Sequence, residues 1–400
     1  MFRVIFYFNH YNTLGHSTRI FSIVKALKEF YGRRIEITIL QGGKKQRFIP
    51  LSNFAKVYLL PYSLDKRGLF IEESRKIYEK MVIHKKMEEM LKERLSLMKK
   101  IIAKQKPDVF ITEYFPFGKE FWSFEIPYIL EYLKKKTNCK IVSSCGYLSW
   151  SENLYEYVKD FYDLILIHSP AEFCLRYYKY LHPKGVEEIS KVFKEFSKKI
   201  FFTGFILDTF PKEKYNKKDL KFPFLKKKKK KLILVSRGGG IVNKKIILAS
   251  LLLAKNNKDL SFVICCGPAT SSEELKEYKK FSKDLKNVRL IKFLPHSFFD
   301  AHLKECDLSI NMAGYNTIVR LLYYKKKSLI LPYYTTEQRW RAKEVEKYLC
   351  SRVIEKNDFT FSLFEKEVKE LLEVKNENIK INKDWFSGIA NTIKLLNSLV

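Results

Sequence analysis

Short apolar runs alternate with amphipathic segments along most of the chain. The first run, Val4–Phe8, is typical of a buried strand. The segment Ser17–Phe30 then places its apolar residues on one helical face, and a second strand-like run follows at Ile35–Leu40. This succession predicts a β–loop–α–β unit, the building block of a parallel sheet with helices on both faces.

The same alternation continues to the end of the chain. Residues 72–105 predict one long helix, and 385–399 predict a terminal one. Further strands are expected in the first half at Val109–Thr112, Lys140–Ser144, Leu164–His168 and Ile200–Thr203, and in the second half at Leu232–Val235, Phe262–Cys266, Val288–Lys292, Leu308–Ile310 and Leu329–Pro332. The pattern predicts an α/β protein of two Rossmann-like doubly wound domains that face each other across a cleft.

The alternation breaks between residues 204 and 231. This stretch contains Gly204, Pro211, Pro223 and the lysine run Lys226–Lys231. Like-charged side chains repel and stay solvated, so a linker is the simplest interpretation. We therefore expect a first domain over 1–204, a linker over 205–231, a second domain over 232–380 and a terminal helix over 381–400.

The chain is strongly basic, with a formal net charge of +32 in 400 residues. Of its 76 basic side chains only 15 are arginines, whereas proteins that recognise specific DNA sequences favour arginine. Nucleic acid is therefore a disfavoured partner. The lysine excess is consistent with a composition bias of the genome or with attraction to an anionic membrane surface.

The seven cysteines do not form a metal or disulfide pattern. No Cys-x-x-Cys pair occurs, and Cys265 and Cys266 are adjacent in a predicted buried strand. The longest strongly apolar stretch, Ile246–Ala254, is too short to span a bilayer, and Met1–Phe8 lacks the basic leader of a signal peptide. These features predict reduced thiols, no metal site and a cytoplasmic protein.

Two strand-to-helix loops of the second half have the composition of an anion site. Ser236, Gly238, Gly239 and Gly240 allow backbone N–H groups to approach a phosphate, although a tight turn explains them equally well. In the other loop Ala313, Gly314, Tyr315, Asn316 and Thr317 precede a helix. Glu337 and Gln338 follow the next strand, either as ligands for hydroxyl groups or as an ordinary helical first turn.

His16 and Glu113 are the candidate acid–base residues of the first half. His16 lies in the loop after the first strand, beside Gly15 and Arg19. Glu113 follows the strand Val109–Thr112 and is therefore expected at the same edge of the sheet. A histidine there can act as a base or donate to a phosphate, but an isolated histidine is more often structural.

Five motifs occur in one order along the chain. They are Gly15-His16-x-x-Arg19, Glu113-x-Phe115-Pro116-Phe117-Gly118, Ser236-x-Gly238-Gly239-Gly240, Met312-Ala313-Gly314-Tyr315-Asn316-Thr317 and Glu337-Gln338-x-x-Arg341-Ala342. This order resembles a bacterial family of predicted two-domain (GT-B) glycosyltransferases. It is more distantly similar to the enzymes that add N-acetylglucosamine to lipid-linked peptidoglycan precursors.

The resemblance implies an inverting transfer without a metal or other cofactor, with a nucleotide sugar as co-substrate. The diphosphate would meet Ser236 and the three glycines, and the Ala313–Thr317 loop would cap it. Glu337 and Gln338 would hold sugar hydroxyls, and backbone near Phe293 and Leu294 would contact the nucleobase of the donor. His16 is the expected catalytic base that deprotonates the acceptor hydroxyl, with Glu113 as the second choice. The family's membrane-bound substrates imply a lipid-linked acceptor at the inner membrane face.

One position departs from the family pattern. Relatives often carry an acidic residue six positions after Gly314, where it binds ribose hydroxyls, and this chain has Arg320. A guanidinium cannot accept hydrogen bonds. The departure weighs against a UDP-type donor, and it leaves open whether Arg320 pairs with an extra phosphate or faces solvent.

Three other functions remain open. The chain is also compatible with a GT-B enzyme that transfers no sugar, such as a nucleotide-sugar 2-epimerase. An inactive relative that binds a sugar nucleotide is supported by Arg320, and a polyanion-binding protein is supported by the +32 charge.

Overall fold

The chain divides into two compact units, each built on a parallel sheet. The computed structural model describes residues 1–9, 15–43, 48–61, 85–117, 125–147, 154–183, 186–208, 230–333, 335–375 and 380–399. Unit 1 comprises Met1–Ile206 and Lys383–Val400, and unit 2 comprises Leu207–Asn382. Two doubly wound parallel sheets confirm the predicted fold class.

Unit 1 contains a seven-stranded sheet in the order β3-β2-β1-β4-β5-β6-β7. Its strands are β1 Phe2–Asn9, β2 Ile35–Gly42, β3 Lys56–Leu60, β4 Val109–Glu113, β5 Lys140–Cys145, β6 Leu164–Ile167 and β7 Ile200–Phe202. Its helices are α1 Gly15–Tyr31, α2 Lys85–Gln105, α3 Ile126–Lys136, α4 Leu154–Asp160, α5 Ala171–Leu181, α6 Val186–Glu195 and, at the chain end, α13 Gly388–Asn397.

Unit 2 contains a six-stranded sheet in the order β10-β9-β8-β11-β12-β13. Its strands are β8 Lys231–Ser236, β9 Leu260–Cys265, β10 Val288–Ile291, β11 Leu308–Asn311, β12 Ser328–Ile330 and β13 Ser351–Val353. Its helices are α7 Lys244–Asn256, α8 Ser272–Ser282, α9 His296–Glu305, α10 Tyr315–Tyr324, α11 Thr336–Val345 and α12 Phe361–Glu373.

The strand order reverses at one place in each sheet. In unit 1 the reversal lies between β1 and β4, where Tyr7 pairs with Thr112. In unit 2 it lies between β8 and β11, where Val235 pairs with Ile310. Loops diverge to opposite faces at such a point and leave a crevice beyond the carboxyl ends of the strands. The candidate residues at the ends of β4, β8 and β11 therefore lie at the carboxyl edges of their sheets, the position at which such sheets commonly bind ligands.

Two predicted boundaries need correction. The linker was expected to include all six lysines, but β8 begins at Lys231, because that residue pairs with Leu260 of β9. The predicted terminal helix begins with a 3-10 turn, Lys383–Phe386, before α13. Residues 72–84 of the predicted long helix, 118 of the Phe-Pro-Phe-Gly loop and 209–229 of the predicted linker lie outside the described residues.

The terminal helix belongs to unit 1 rather than to the domain that precedes it in sequence. Asn391 Nδ2 donates to the carbonyl oxygen of Thr203 over 2.9 Å, and Phe205 N donates to the Trp385 carbonyl. The ring of Trp385 also packs edge-on against Phe173. These contacts return the end of the chain to the sheet with which the chain begins.

Candidate functional site

His16 and Glu113 form a direct pair at the carboxyl edge of the unit 1 sheet. His16 is the second residue of α1, and Glu113 is the last residue of β4. His16 Nδ1 lies 2.7 Å from Glu113 Oε1. The carboxylate is buried, whereas the imidazole keeps about a fifth of its side-chain surface exposed, 21%. The structure therefore brings the two predicted residues together in one hydrogen bond.

The pairing fixes which imidazole nitrogen can accept a proton. An ionised carboxylate only accepts hydrogen bonds, so Nδ1 must carry the proton that it donates to Glu113. The neutral ring then has its lone pair on Nε2. A histidine held in this tautomer can act as a general base through Nε2.

Arg19 completes this cluster from the next turn of α1. Its Nη2 donates to the same Glu113 oxygen, Oε1, and its guanidinium lies 4.7 Å from the ring centroid of Tyr114. His16 packs edge-on against the same ring, at 5.1 Å between centroids. Residues three apart on a helix share one face, which is why both side chains reach β4.

The Phe-Pro-Phe motif has a structural role in this site. The carbonyl oxygen of Phe115 accepts hydrogen bonds from Thr112 Oγ1 at 2.9 Å and Ser143 Oγ at 2.8 Å, and the Phe115–Pro116 peptide bond is cis. Phe115 and Phe117 are buried in the core of unit 1. The motif therefore anchors the turn that follows Glu113 instead of contacting a ligand with its rings.

His168 is a buried polar residue that the sequence pattern did not identify as part of this site. Its two ring nitrogens lie 2.8 Å from Ser144 Oγ and 2.8 Å from Thr203 Oγ1. Burial, reinforced by the charge of Arg19, holds the pKa of His168 well below its usual range. It is therefore a neutral bridge between β5 and the end of β7, a contact that depends on the sheet order.

The glycine loop of unit 2 divides into a packed end and an open end. A Cβ on Gly240 would lie 2.8 Å from the carbonyl carbon of Gly267, because the loops after β8 and β9 touch through their backbones. A Cβ on Gly238 would meet nothing within 4 Å, although its φ of +62° favours glycine. The tight-turn interpretation therefore explains Gly240, and the open end at Gly238 is the part that remains available to a ligand.

Arg237, inside this loop, points away from the open end. Its Nη1 and Nη2 donate to the two carboxylate oxygens of Glu274 over 2.8 and 3.2 Å, and its Nε donates to the Val242 carbonyl over 2.7 Å. The buried guanidinium is thus used to fasten the loop to α8. The site residues predicted here, Ser236 and the glycines, lie on either side of this anchor.

The loop after β11 is tied to α11 by Arg341. Arg341 Nη1 donates to the Ala313 carbonyl over 2.6 Å, and Nη2 pairs with Glu337. Ala313 itself has a φ of +56°, and its N–H donates to Asn311 Oδ1 over 3.0 Å. The structure therefore connects the predicted phosphate loop to the predicted sugar-binding helix through one arginine.

Gln338 and Glu337 both have intramolecular partners. Gln338 Oε1 accepts from the Tyr333 N–H over 3.2 Å, and the Gln338 N–H donates to the cap residue Thr335 at 3.2 Å. These bonds are those of an ordinary helical first turn.

The solvent-facing alternative for Arg320 is wrong. The side chain is buried in unit 2, with Nε 2.5 Å from Asp300 Oδ1 and Nη1 3.3 Å from the Asn316 carbonyl. Burial together with the charge of Arg320 lowers the pKa of His296, at the start of α9, to about 3.

Phe293 and Leu294, the residues predicted to contact the nucleobase, are half-buried between β10 and α9.

A separate cleft of about 370 Å³ opens beside these loops in unit 2. It combines apolar side chains such as Leu331 and Phe359 with the lysines Lys244, Lys245 and Lys356. The predicted donor residues do not line it.

The described residues hold no cluster of three or more His, Cys, Asp or Glu side chains suited to a metal ion. In the same part of the chain no helix is long and apolar enough to cross a membrane. All seven cysteines are free thiols, and six are buried.

Comparison with known proteins supports the predicted resemblance. Residues 232–394 match the glycosyltransferase family 28 C-terminal domain. The fold resembles that of the calicheamicin glycosyltransferase CalG4, with a TM-score of 0.64 at 13% identity over 100% of this chain and 98% of that one. No curated protein sequence matches the chain.

Two further solved structures share the fold. The UDP-GlcNAc 2-epimerase from Neisseria meningitidis, bound to UDP-GlcNAc, has a TM-score of 0.60 at 16% identity, with 99% of each chain covered. MurG from Acinetobacter baumannii has a TM-score of 0.52 at 11% identity, covering 99% of this chain and 95% of that one. The architecture is therefore GT-B, as the motifs predict.

Proposed function

We propose that the protein is an inverting glycosyltransferase that moves a sugar from a nucleotide sugar to an acceptor hydroxyl without a metal ion. The observation that carries this proposal is the 2.7 Å pair between His16 Nδ1 and Glu113 Oε1, which leaves Nε2 as a base. The match of residues 232–394 to a glycosyltransferase domain supports a donor site in unit 2.

The proposed reaction assigns proton transfer to His16 and donor binding to residues of unit 2. His16 Nε2 takes the proton of the acceptor hydroxyl, whose oxygen forms a bond to the anomeric carbon of the donor sugar. The bond from that carbon to the diphosphate breaks, and its electron pair leaves with the nucleoside diphosphate. Attack opposite the leaving group inverts the anomeric configuration.

Charge grows on the diphosphate as it leaves, so unit 2 has to stabilise an anion. The helix α10, which begins immediately after Gly314, directs its first N–H groups and the positive end of its dipole towards the loop. The open backbone at Gly238 offers a second contact without a side chain in the way. Arg341 fixes the Ala313 carbonyl and so holds the loop in shape.

A nucleotide-sugar 2-epimerase is the second candidate, because two solved structures described as 2-epimerases share the fold and one of them holds UDP-GlcNAc. The two activities differ in their products. The experiment incubates the full chain with a panel of nucleotide sugars, with and without an extract of polyprenyl-linked acceptors, and follows the products by NMR. Release of nucleoside diphosphate that depends on the acceptor supports transfer, whereas a new C2 epimer without acceptor supports epimerisation.

A further inference from the structure

The cluster around Glu113 contains one carboxylate oxygen shared by two nitrogen donors. Glu113 Oε1 accepts from His16 Nδ1 and from Arg19 Nη2, and Arg19 is only 3% exposed. General-base function explains the histidine and the carboxylate. It does not explain why a second, permanently charged partner is buried against the same oxygen.

The neighbouring titratable groups contribute no charge at neutral pH. Burial raises the pKa of Tyr114 and of Cys145 above their usual ranges, and it lowers that of His168. Arg19 and Glu113 are therefore charged groups of this cluster that act on His16, through the carboxylate oxygen that both side chains contact.

These two charges cancel when His16 is neutral. Protonating the imidazole would leave a net positive charge in a poorly solvated place, which is costly. Without Arg19 the balance reverses, because Glu113 and a protonated His16 would then form the neutral combination. The guanidinium thus favours the form of histidine that can accept a proton.

We propose that Arg19 is a positioning residue that takes up the charge of Glu113 and thereby keeps His16 neutral and oriented as a base. This inference rests on the proposed function for its purpose, but its physical content is the protonation state of His16 alone. It can therefore be measured without turnover.

The packing of Arg19 supports a dedicated role. A Cβ on residue 146 would lie 2.5 Å from Arg19 Nη1 and 2.8 Å from the Tyr114 hydroxyl, so Gly146 leaves the space that the guanidinium occupies. The Tyr114 ring covers the guanidinium at 4.7 Å. A planar, always charged group is held on several sides, an arrangement that lysine cannot reproduce fully.

The test follows the titration of His16 by NMR in the full chain labelled with carbon-13 histidine. His16→Gln assigns the signal by removing it. Arg19→Met should raise the titration midpoint of His16 by at least about one pH unit, the scale expected when a charge at close range is removed. Arg19→Lys keeps the charge and should leave the midpoint closer to that of the wild type.

Arg94→Met is the matched control, since Arg94 is a second buried arginine of unit 1 that pairs with another carboxylate, Glu125. It should lower stability while the His16 midpoint stays within about 0.3 pH units, well below the effect of a neighbouring charge. If Arg19→Met does not fold, Gly146→Ala provides the second route, because its methyl group displaces Arg19 and should move the midpoint in the same direction.

A folded Arg19→Met or Gly146→Ala protein with the wild-type midpoint would overturn the inference. Failure of every transfer assay would instead count against the proposed function and would leave the titration result standing. The two ideas are therefore tested by different measurements.

Discussion

Arg320 and Asp300 form a buried ion pair between helices α10 and α9, with 2.5 Å between Nε and Oδ1. The sequence resemblance implies a carboxylate at position 320, and the structure instead places a carboxylate on the neighbouring helix and a cation at 320. The charge of Arg320 is therefore balanced within unit 2. Arg320 is therefore not an unpaired cation beside the loop after β11.

The pair predicts strongly non-additive effects of substitution. Arg320→Met leaves the Asp300 carboxylate buried without its counterion, so it should lower the free energy of unfolding by about 3–5 kcal/mol. The double variant with Asp300→Asn removes both charges and should recover part of that loss. Urea unfolding of the wild type and the three variants measures the cycle. The exposed pair Lys135–Glu131 is the control and should contribute less than about 1 kcal/mol. Simple additivity at 300 and 320 would contradict the prediction.

Asp300 also predicts a pH dependence of stability. Burial, opposed by Arg320, raises the pKa of Asp300 to about 6, whereas an unfolded aspartate titrates near 3.9. The folded state therefore binds this proton more tightly, and the contribution of the group to stability falls as the pH rises from about 4 through 6. Compared with Asp300→Asn, the wild type should lose unfolding free energy between pH 4.5 and 7. Parallel pH curves for the two proteins would refute this assignment.

Periodicity predicted the strands that pack on both faces and missed shorter elements. Runs such as Val4–Phe8 are apolar throughout, which identifies a central parallel strand. The edge strands β3 and β13 have only three to five residues and are largely half-exposed. Their existence depends on pairing with β2 and β12, which a local pattern does not contain.

The sequence predicted that His16 and Glu113 lie close together, but it did not predict the hydrogen-bond partners of the neighbouring arginines. The position of His16 and Glu113 after two strands indicated one edge of a sheet, and the adjacency of β1 and β4 confirms that they meet. The roles of Arg19, Arg237 and Arg341 required tertiary contacts, because each guanidinium binds a group 28 to 94 residues away in sequence. The close approach of the Gly240 and Gly267 backbones likewise joins two loops that are separate in sequence, so a local pattern could not predict it.

The glycine loop predicts two different outcomes for two neighbouring substitutions. Gly239→Val adds a branched side chain beside the proposed diphosphate position and should weaken nucleotide binding while the protein stays folded. Gly240→Ala should instead destabilise the fold, because its methyl group would overlap the backbone of Gly267. Calorimetric titration with nucleoside diphosphates, paired with thermal unfolding, separates the two effects. Unchanged affinity in folded Gly239→Val would place the phosphates elsewhere.

His16 should matter for turnover more than for donor affinity. His16→Ala removes the proposed base and should lower kcat by about 10²–10⁴-fold, the usual contribution of general-base catalysis. The nucleotide affinity should change little, since the proposed donor residues belong to unit 2. Glu113→Gln keeps the size of the side chain but no longer holds a negative charge against His16 and Arg19, so a smaller loss is expected. If His16→Ala keeps its activity and Glu113→Gln abolishes it, the two roles are reversed.

The +32 charge predicts salt-dependent docking on anionic membranes. Each lysine close to an anionic surface contributes about 1 kcal/mol, so a few well-placed side chains suffice for reversible binding. Such binding must weaken with salt, because the Debye length falls from about 10 Å at 0.1 M to about 3 Å at 1 M.

Co-sedimentation with vesicles of phosphatidylglycerol and phosphatidylcholine, compared with vesicles of phosphatidylcholine alone, measures this salt-dependent binding. Binding to the anionic vesicles at low salt that disappears at 1 M supports a membrane-bound acceptor. Equal binding to both vesicle types, or none to the anionic ones at low salt, would mean that the lysines reflect composition and that the acceptor should be sought among soluble molecules.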